Sequence, residues 1–146
     1  MQVKERITIF TGHFGSGKTE LAINYSRRLS ETGKRVTLVD LDIVNPFFRS
    51  ADVKEVLERE GIKVLTPNFA GTTVDVPSLP AEIYSVFDDS KRYVVFDVGG
   101  DDIGATALGG YYPRFASKPY QMFYVINVYR PLSNKKEDII DMLRAV

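Results

Sequence analysis

The stretch Gly12-His13-Phe14-Gly15-Ser16-Gly17-Lys18-Thr19 constrains this chain more than any other. It runs glycine, four residues, glycine, lysine, threonine, the pattern of a phosphate-binding loop. The pattern needs those residue types for physical reasons. Glycines let the backbone turn sharply and aim several N–H groups at one point. Those groups, with the positive end of the helix that follows, form a cavity suited to phosphate oxygens. Lys18 would supply a full charge to β- and γ-phosphates, and the Thr19 hydroxyl would ligate Mg2+. Such a loop has to sit between a strand and a helix, and its flanks agree. Residues 6–11 are a short β-branched and aromatic run, which predicts the strand. After Gly17, Leu21, Tyr25 and Leu29 recur at four-residue spacing, with Ala22 and Ile23 beside them, and Gly33 sits where a C-terminal cap belongs. The alternative is a glycine-rich turn that matches by accident, and the flanking elements weigh against it.

Further along, residues 34–40 are apolar after a basic start, which suits a parallel strand covered on both faces. The strand ends in Asp40-Leu41-Asp42. Two carboxylates at the C-terminal edge of a buried strand stand where open α/β sheets bind ligands. Asp40 could hold a magnesium-bound water, and Asp42 could orient the water attacking a γ-phosphate. The bland alternative is that both simply end the strand and cap a turn. Residues 50–60 predict a helix with Val53, Val56 and Leu57 on one face, and residues 62–66 a third strand. A long loop from Pro67 to Pro77 follows, with Asp75 read as a turn residue, and Ser78 can cap a short helix through Phe87.

Residues 92–97 predict a fourth strand ending in Asp97, followed by Val98-Gly99-Gly100. This is the expected second half of a nucleotide site: the carboxylate contacts Mg2+ through water, and the Gly100 N–H approaches the γ-phosphate. The glycine-rich segment 101–110 reads as a switch that responds to that phosphate. Tyr111, Tyr112 and Phe115 either pack on the sheet or face a partner, and packing is the favoured expectation. Residues 121–127 predict a fifth strand with Asn127 at its ligand-side end. Residues 135–146 predict a last helix with Ile139, Met142, Leu143 and Val146 inward. Alternating strands and helices imply a three-layer, mainly parallel α/β sheet, whose right-handed crossovers gather the carboxyl ends of the strands on one rim.

Composition narrows the chemistry. The 146 residues suit one domain, and 19 basic against 19 acidic side chains leave no bulk attraction for nucleic acid or anionic membrane. With no cysteine and one histidine, thiolate-held metals and a histidine metal site are excluded within this chain. No apolar run approaches a membrane span and no signal-peptide profile opens the chain, so a soluble cytoplasmic protein is expected.

With these residues assembled, the chain resembles the MinD/ParA/CobQ group of P-loop ATPases over most of its length, and in particular CobQ/CobB/MinD/ParA nucleotide-binding proteins. Gly12–Thr19 matches the phosphate loop, Val39–Asp42 the Asp-x-Asp of the first switch, and Asp97–Ala105 the magnesium aspartate and second switch. Ile126-Asn127 with Pro131-Leu132-Ser133 resembles the strand end and loop near the base. The resemblance implies a Rossmann-like P-loop fold and slow, Mg2+-dependent ATP hydrolysis, coupled in many members to nucleotide-dependent homodimerisation; a protein partner is expected but not identified. It assigns nucleotide binding to Gly12, His13, Phe14, Gly15, Ser16, Gly17, Lys18, Thr19, Glu20, Gly100 and Asn127. It assigns the metal to Thr19, Asp40 and Asp97, and catalysis to Lys18 and Asp42.

Two departures stand out. His13 occupies the position of a second lysine that in the family reaches across a dimer, and an imidazole is not a permanent charge. Family domains also continue with further strands, so the chain reads as a short or C-terminally truncated member. A small-molecule kinase or ligase on the same fold, with its acceptor in the 67–77 loop, is one alternative function. A nucleotide-binding assembly module without hydrolysis is another. GTP has less support than ATP, because Asn134-Lys135-Lys136-Glu137 is not the Asn-Lys-x-Asp motif of GTPases of this class.

Overall fold

The computed structural model describes residues 5–42, 53–66, 81–130 and 135–144. Five strands form the sheet: β1 (Ile7–Thr11), β2 (Arg35–Leu41), β3 (Ile62–Leu65), β4 (Arg92–Val98) and β5 (Tyr120–Tyr124). Among the described residues six helices accompany them: α1 (Lys18–Glu31), α2 (Lys54–Arg59), α3 (Ala81–Ser85), α4 (Asp102–Gly109), α5 (Tyr112–Phe115) and α6 (Lys136–Arg144). The strand order is β3-β2-β4-β1-β5 and every pairing is parallel. The expected α/β architecture is therefore present. A parallel ladder needs both faces covered, and the near-continuous apolar runs in β1, β2 and β4 meet that need.

Alternation along the strands divides the core into two layers. Ile7, Ile9, Val39, Leu41, Phe96 and Val98 face one side and pack with Ile83, Phe87, Tyr111 and Phe115. Phe10, Val36, Leu38, Val64 and Val95 face the other, against Ala22, Ile23, Tyr25 and Leu29 of α1 and Leu57 of α2. At about 25 cal/mol per Å2 of apolar surface, such fully covered side chains supply most of what holds the layers together.

Several boundaries and faces differ from expectation. Leu21 and Val56 are exposed, and Ser26 takes a place on the buried stripe of α1, its hydroxyl donating to the Ala22 carbonyl at 2.8 Å. Tyr111 and Phe115 are buried as expected, whereas Tyr112 is exposed. Leu143 of α6 is exposed rather than inward. An α-helix, Asp102–Gly109, occupies the segment read as a glycine-rich switch, an element the sequence did not suggest. The 67–77 loop with Asp75, the Ser78 cap, the 131–133 segment and the last two residues lie outside the described residues.

Candidate nucleotide site

The carboxyl ends of β1, β2 and β4 lie side by side, because β4 runs between the other two. Register makes Asp97 the neighbour of Phe10 on one side and of Asp40 on the other. Asp40 shares a face with Leu38, and Asp97 with Val95, so both carboxylates lie on the α1 side of the sheet. Asp42 follows at the end of β2, its N–H donating to Asp40 Oδ1 at 3.0 Å. Asp40 and Asp97 are 0% exposed, and Asp42 and Lys18 3%.

Lys18 meets this group from the first turn of α1. Its Nζ lies 2.7 Å from Asp42 Oδ2, an ion-pair contact without hydrogen-bond geometry. One buried ammonium thus shares the rim with three buried carboxylates. The imbalance is felt at Asp97, whose carboxyl is pushed up to about 7. Burial is the main cause and the Asp40 charge adds to it; a Thr19 hydrogen bond and the Lys18 charge pull the other way, with Asp42 a smaller upward push.

The loop itself is held by main chain on both sides. A β-carbon on Gly12 would sit 2.3 Å from the Val125 carbonyl oxygen, and one on Gly100 2.2 Å from the Gly12 carbonyl oxygen and 2.7 Å from the His13 nitrogen. Only glycine fits such an approach. Thr11 Oγ1 donates to the Gly99 carbonyl at 3.3 Å, and the Val125 N–H to the Thr11 carbonyl at 2.7 Å. Helix α1 then starts at Gly17, in the left-handed region with φ 91°, and no side chain caps its first turn. Its leading N–H groups have no side-chain acceptor, so with the helix dipole behind them they form an anion-binding end.

The expected residues are distributed as follows. Gly12 through Thr19, Asp40, Asp42, Asp97 and Gly100 converge on one rim. The Glu20 carboxylate does not join them: it is exposed and accepts from Asn24 Nδ2 at 2.9 Å. Asn127 lies three residues beyond β5 and, with His13, Phe14 and Ser16, lines a crevice of about 10 Å3, room for one water. Ser16 Oγ is buried without a hydrogen-bond partner. Sequence reasoning placed Asp101 in the switch segment and missed its capping role: its Oδ1 caps α4 by accepting the Gly104 N–H at 2.7 Å. It also passed over Arg130, which lies against the loop at Gly15. An aspartate followed by Ala105, Ala107 and Leu108 was the available signal for the first; the three-residue step from Asn127 to Arg130 was the signal for the second.

A larger groove of about 350 Å3 runs beside β5, lined by Ala105, Leu108, Phe115 and Met122 among others. Its lining includes no charged side chain, so it offers a polyphosphate nothing.

The model of the CobQ/CobB/MinD/ParA nucleotide binding domain matches residues 7–145. The chain belongs to that family. No curated protein matches it. A nucleotide-binding domain of MinD/ParA type thus accounts for an open helix start and a buried lysine on one rim. Among the described residues no helix is long and apolar enough to cross a membrane.

The same rim can be tested for Mg2+. Among the described residues no three His, Cys, Asp or Glu side chains are arranged as a metal cage. The donor set is instead a hydroxyl, Thr19, with carboxylates Asp40 and Asp97 behind it. Hard oxygen donors in that number suit a cation that keeps waters and takes its remaining ligands from phosphate. The excess of buried negative charge fits the same ion.

Proposed function

We propose that this domain binds ATP with Mg2+ and hydrolyses it slowly, using the bound nucleotide as a switch. The observation that carries the reading is the buried Lys18–Asp42 pair, 2.7 Å apart at the foot of an uncapped phosphate loop. Lys18 neutralises Asp42 while the loop is empty. A triphosphate offers Lys18 several anionic oxygens and draws it away, leaving Asp42 as an acceptor at the rim. Asp42 then orients a water by accepting its hydrogen bond. The water oxygen bonds to the γ-phosphorus as the bond to the β–γ bridging oxygen breaks; ADP leaves with that electron pair, and the water's protons stay with the released phosphate and solvent.

The loop N–H groups and Lys18 would offset charge on the transferred phosphoryl group. Thr19, with Asp40 and Asp97 acting through water, would hold Mg2+, which neutralises charge on the β- and γ-oxygens. Gly100, pressed against Gly12 and His13, is the element that would register the γ-phosphate.

Calorimetry with ATP and GTP in Mg2+, paired with a phosphate-release assay, tests this reading. ATP binding should fall by at least about 100-fold in Lys18→Ala, which removes a charge-assisted contact and leaves Asp42 buried without its cation. Asp42→Asn should retain binding and lose turnover by on the order of 100-fold. Binding of neither nucleotide by the folded protein would end the proposal. Binding without any turnover would leave an assembly module, and tighter GTP than ATP binding would reverse the choice of base.

A further inference from the structure

Arg130 is carried on the turn that follows β5, and two contacts of Asn127 shape that turn. The Asn127 carbonyl accepts the Arg130 N–H at 3.0 Å, and its Oδ1 accepts the Tyr129 N–H, also at 3.0 Å. The root of the turn is joined to the root of the phosphate loop by the Val125 N–H, which donates to the Thr11 carbonyl. From there the Arg130 side chain crosses to the middle of the loop. A β-carbon on Gly15 would lie 2.7 Å from Arg130 Nη2, 2.9 Å from Cζ and 3.1 Å from Nε. Three guanidinium atoms at nearly equal distance mean that the group lies broadside on Gly15, filling the space of the side chain glycine lacks.

This placement has no electrostatic explanation among the described residues. Among the described residues no carboxylate pairs with Arg130, whereas Arg27, Arg35, Arg92 and Arg144 each have one. An exposed arginine with no acid to hold it loses rotamer entropy when pinned against a loop. A guanidinium has five N–H donors and no acceptor, and its fork matches phosphate oxygens. With one face on Gly15, its N–H edge is left to meet an anion lodged in the loop.

We propose that Arg130 is a nucleotide-binding residue, delivering a second positive charge from the β5 turn to the phosphates held by the loop. This rests on the nucleotide reading above and adds to it a contact from outside the loop. Gly15, whose φ of 72° already favours glycine, also leaves Arg130 the space above it, and Asn127 is the residue that shapes the turn.

Titrations of ATP, ADP and inorganic tripolyphosphate into wild type, Arg130→Ala, Arg130→Lys and Lys18→Ala test the assignment. Arg130→Ala should bind all three ligands roughly 10- to 100-fold more weakly, the size of one charge-assisted contact, with an unchanged thermal melt. Arg130→Lys should recover part of the loss. If wild type binds, Lys18→Ala does not, and Arg130→Ala stays within about twofold, the role of Arg130 is wrong while the nucleotide site stands. Weaker ATP and ADP binding with unchanged tripolyphosphate binding would move the contact to the nucleoside and overturn the phosphate assignment. Failure of wild type to bind any of the three would remove both proposals together.

Discussion

Helices α1 and α4 begin at the same rim, behind two adjacent parallel strands, and each follows a glycine-bearing turn, yet their first turns are finished differently. Helix α1 starts at Gly17 with no side-chain cap. Helix α4 starts at Asp101, whose carboxylate takes the Gly104 N–H at 2.7 Å. The first leaves its leading amides to a ligand and places Lys18 beside them. The second satisfies an amide internally and adds a negative charge where an anion would have to approach. A strand–turn–helix unit at a carboxyl rim is therefore not itself a phosphate site. What distinguishes the two is whether the chain caps its own helix.

The largest effect is expected where the two turns touch. Gly100→Ala places a β-carbon 2.2 Å from the Gly12 carbonyl oxygen, against main chain that has no rotamer to change. We expect a stability loss on the order of 2–4 kcal/mol by chemical denaturation, and nucleotide affinity down by more than about tenfold. A tolerated alanine would mean that the α4 turn does not brace the loop.

A second effect concerns the buried charge between the turns. The Asp97 carboxyl is raised from 3.8 to about 7 in the folded chain, so between those values the folded state keeps a proton that the unfolded state has lost. Its contribution to stability is complete below pH 4 and disappears as pH rises through 7. In the absence of nucleotide and Mg2+, Asp97→Asn should flatten the fall in stability between pH 5 and pH 8. At the upper end it should exceed wild type by on the order of 2–4 kcal/mol in denaturant titrations. Parallel pH profiles for the two proteins would show that Asp97 is not held protonated.

The smallest effect sharpens the contrast. Asp101→Ala removes the α4 cap and should cost about 1 kcal/mol of stability while ATP affinity stays within about twofold. A large affinity loss would make the α4 cap part of the binding site after all.

Much of this was legible in the sequence because the signals are local. The glycines and Lys18-Thr19 announce the loop, and apolar runs ending in Asp40 and Asp97 announce two strands that deliver carboxylates to the ligand side. The helix at 102–109 was missed because Gly99, Gly100, Gly104, Gly109 and Gly110 suggest a flexible segment. Its stability comes from one carboxylate cap and from packing that four-residue spacing does not reveal. Leu21 misled for the opposite reason: the periodicity is real, but the buried stripe of α1 runs along a neighbouring row, through Ala22, Tyr25, Ser26 and Leu29. Arg130 was invisible because its partner is a glycine 115 positions upstream, reached only once β5 pairs with β1.

The phosphate loop is clasped on one side by the Val125 carbonyl and on the other by the backbone around Gly99 and Gly100. Those restraints are built from atoms that every amino acid carries. Exposed Ile103, beside Gly100, can consequently be exchanged for many side chains without reshaping the cradle, provided residues 12 and 100 stay small, whereas Val98 is held by the core. Tolerance to sequence change is thereby concentrated immediately beside the part of the molecule least able to bear it.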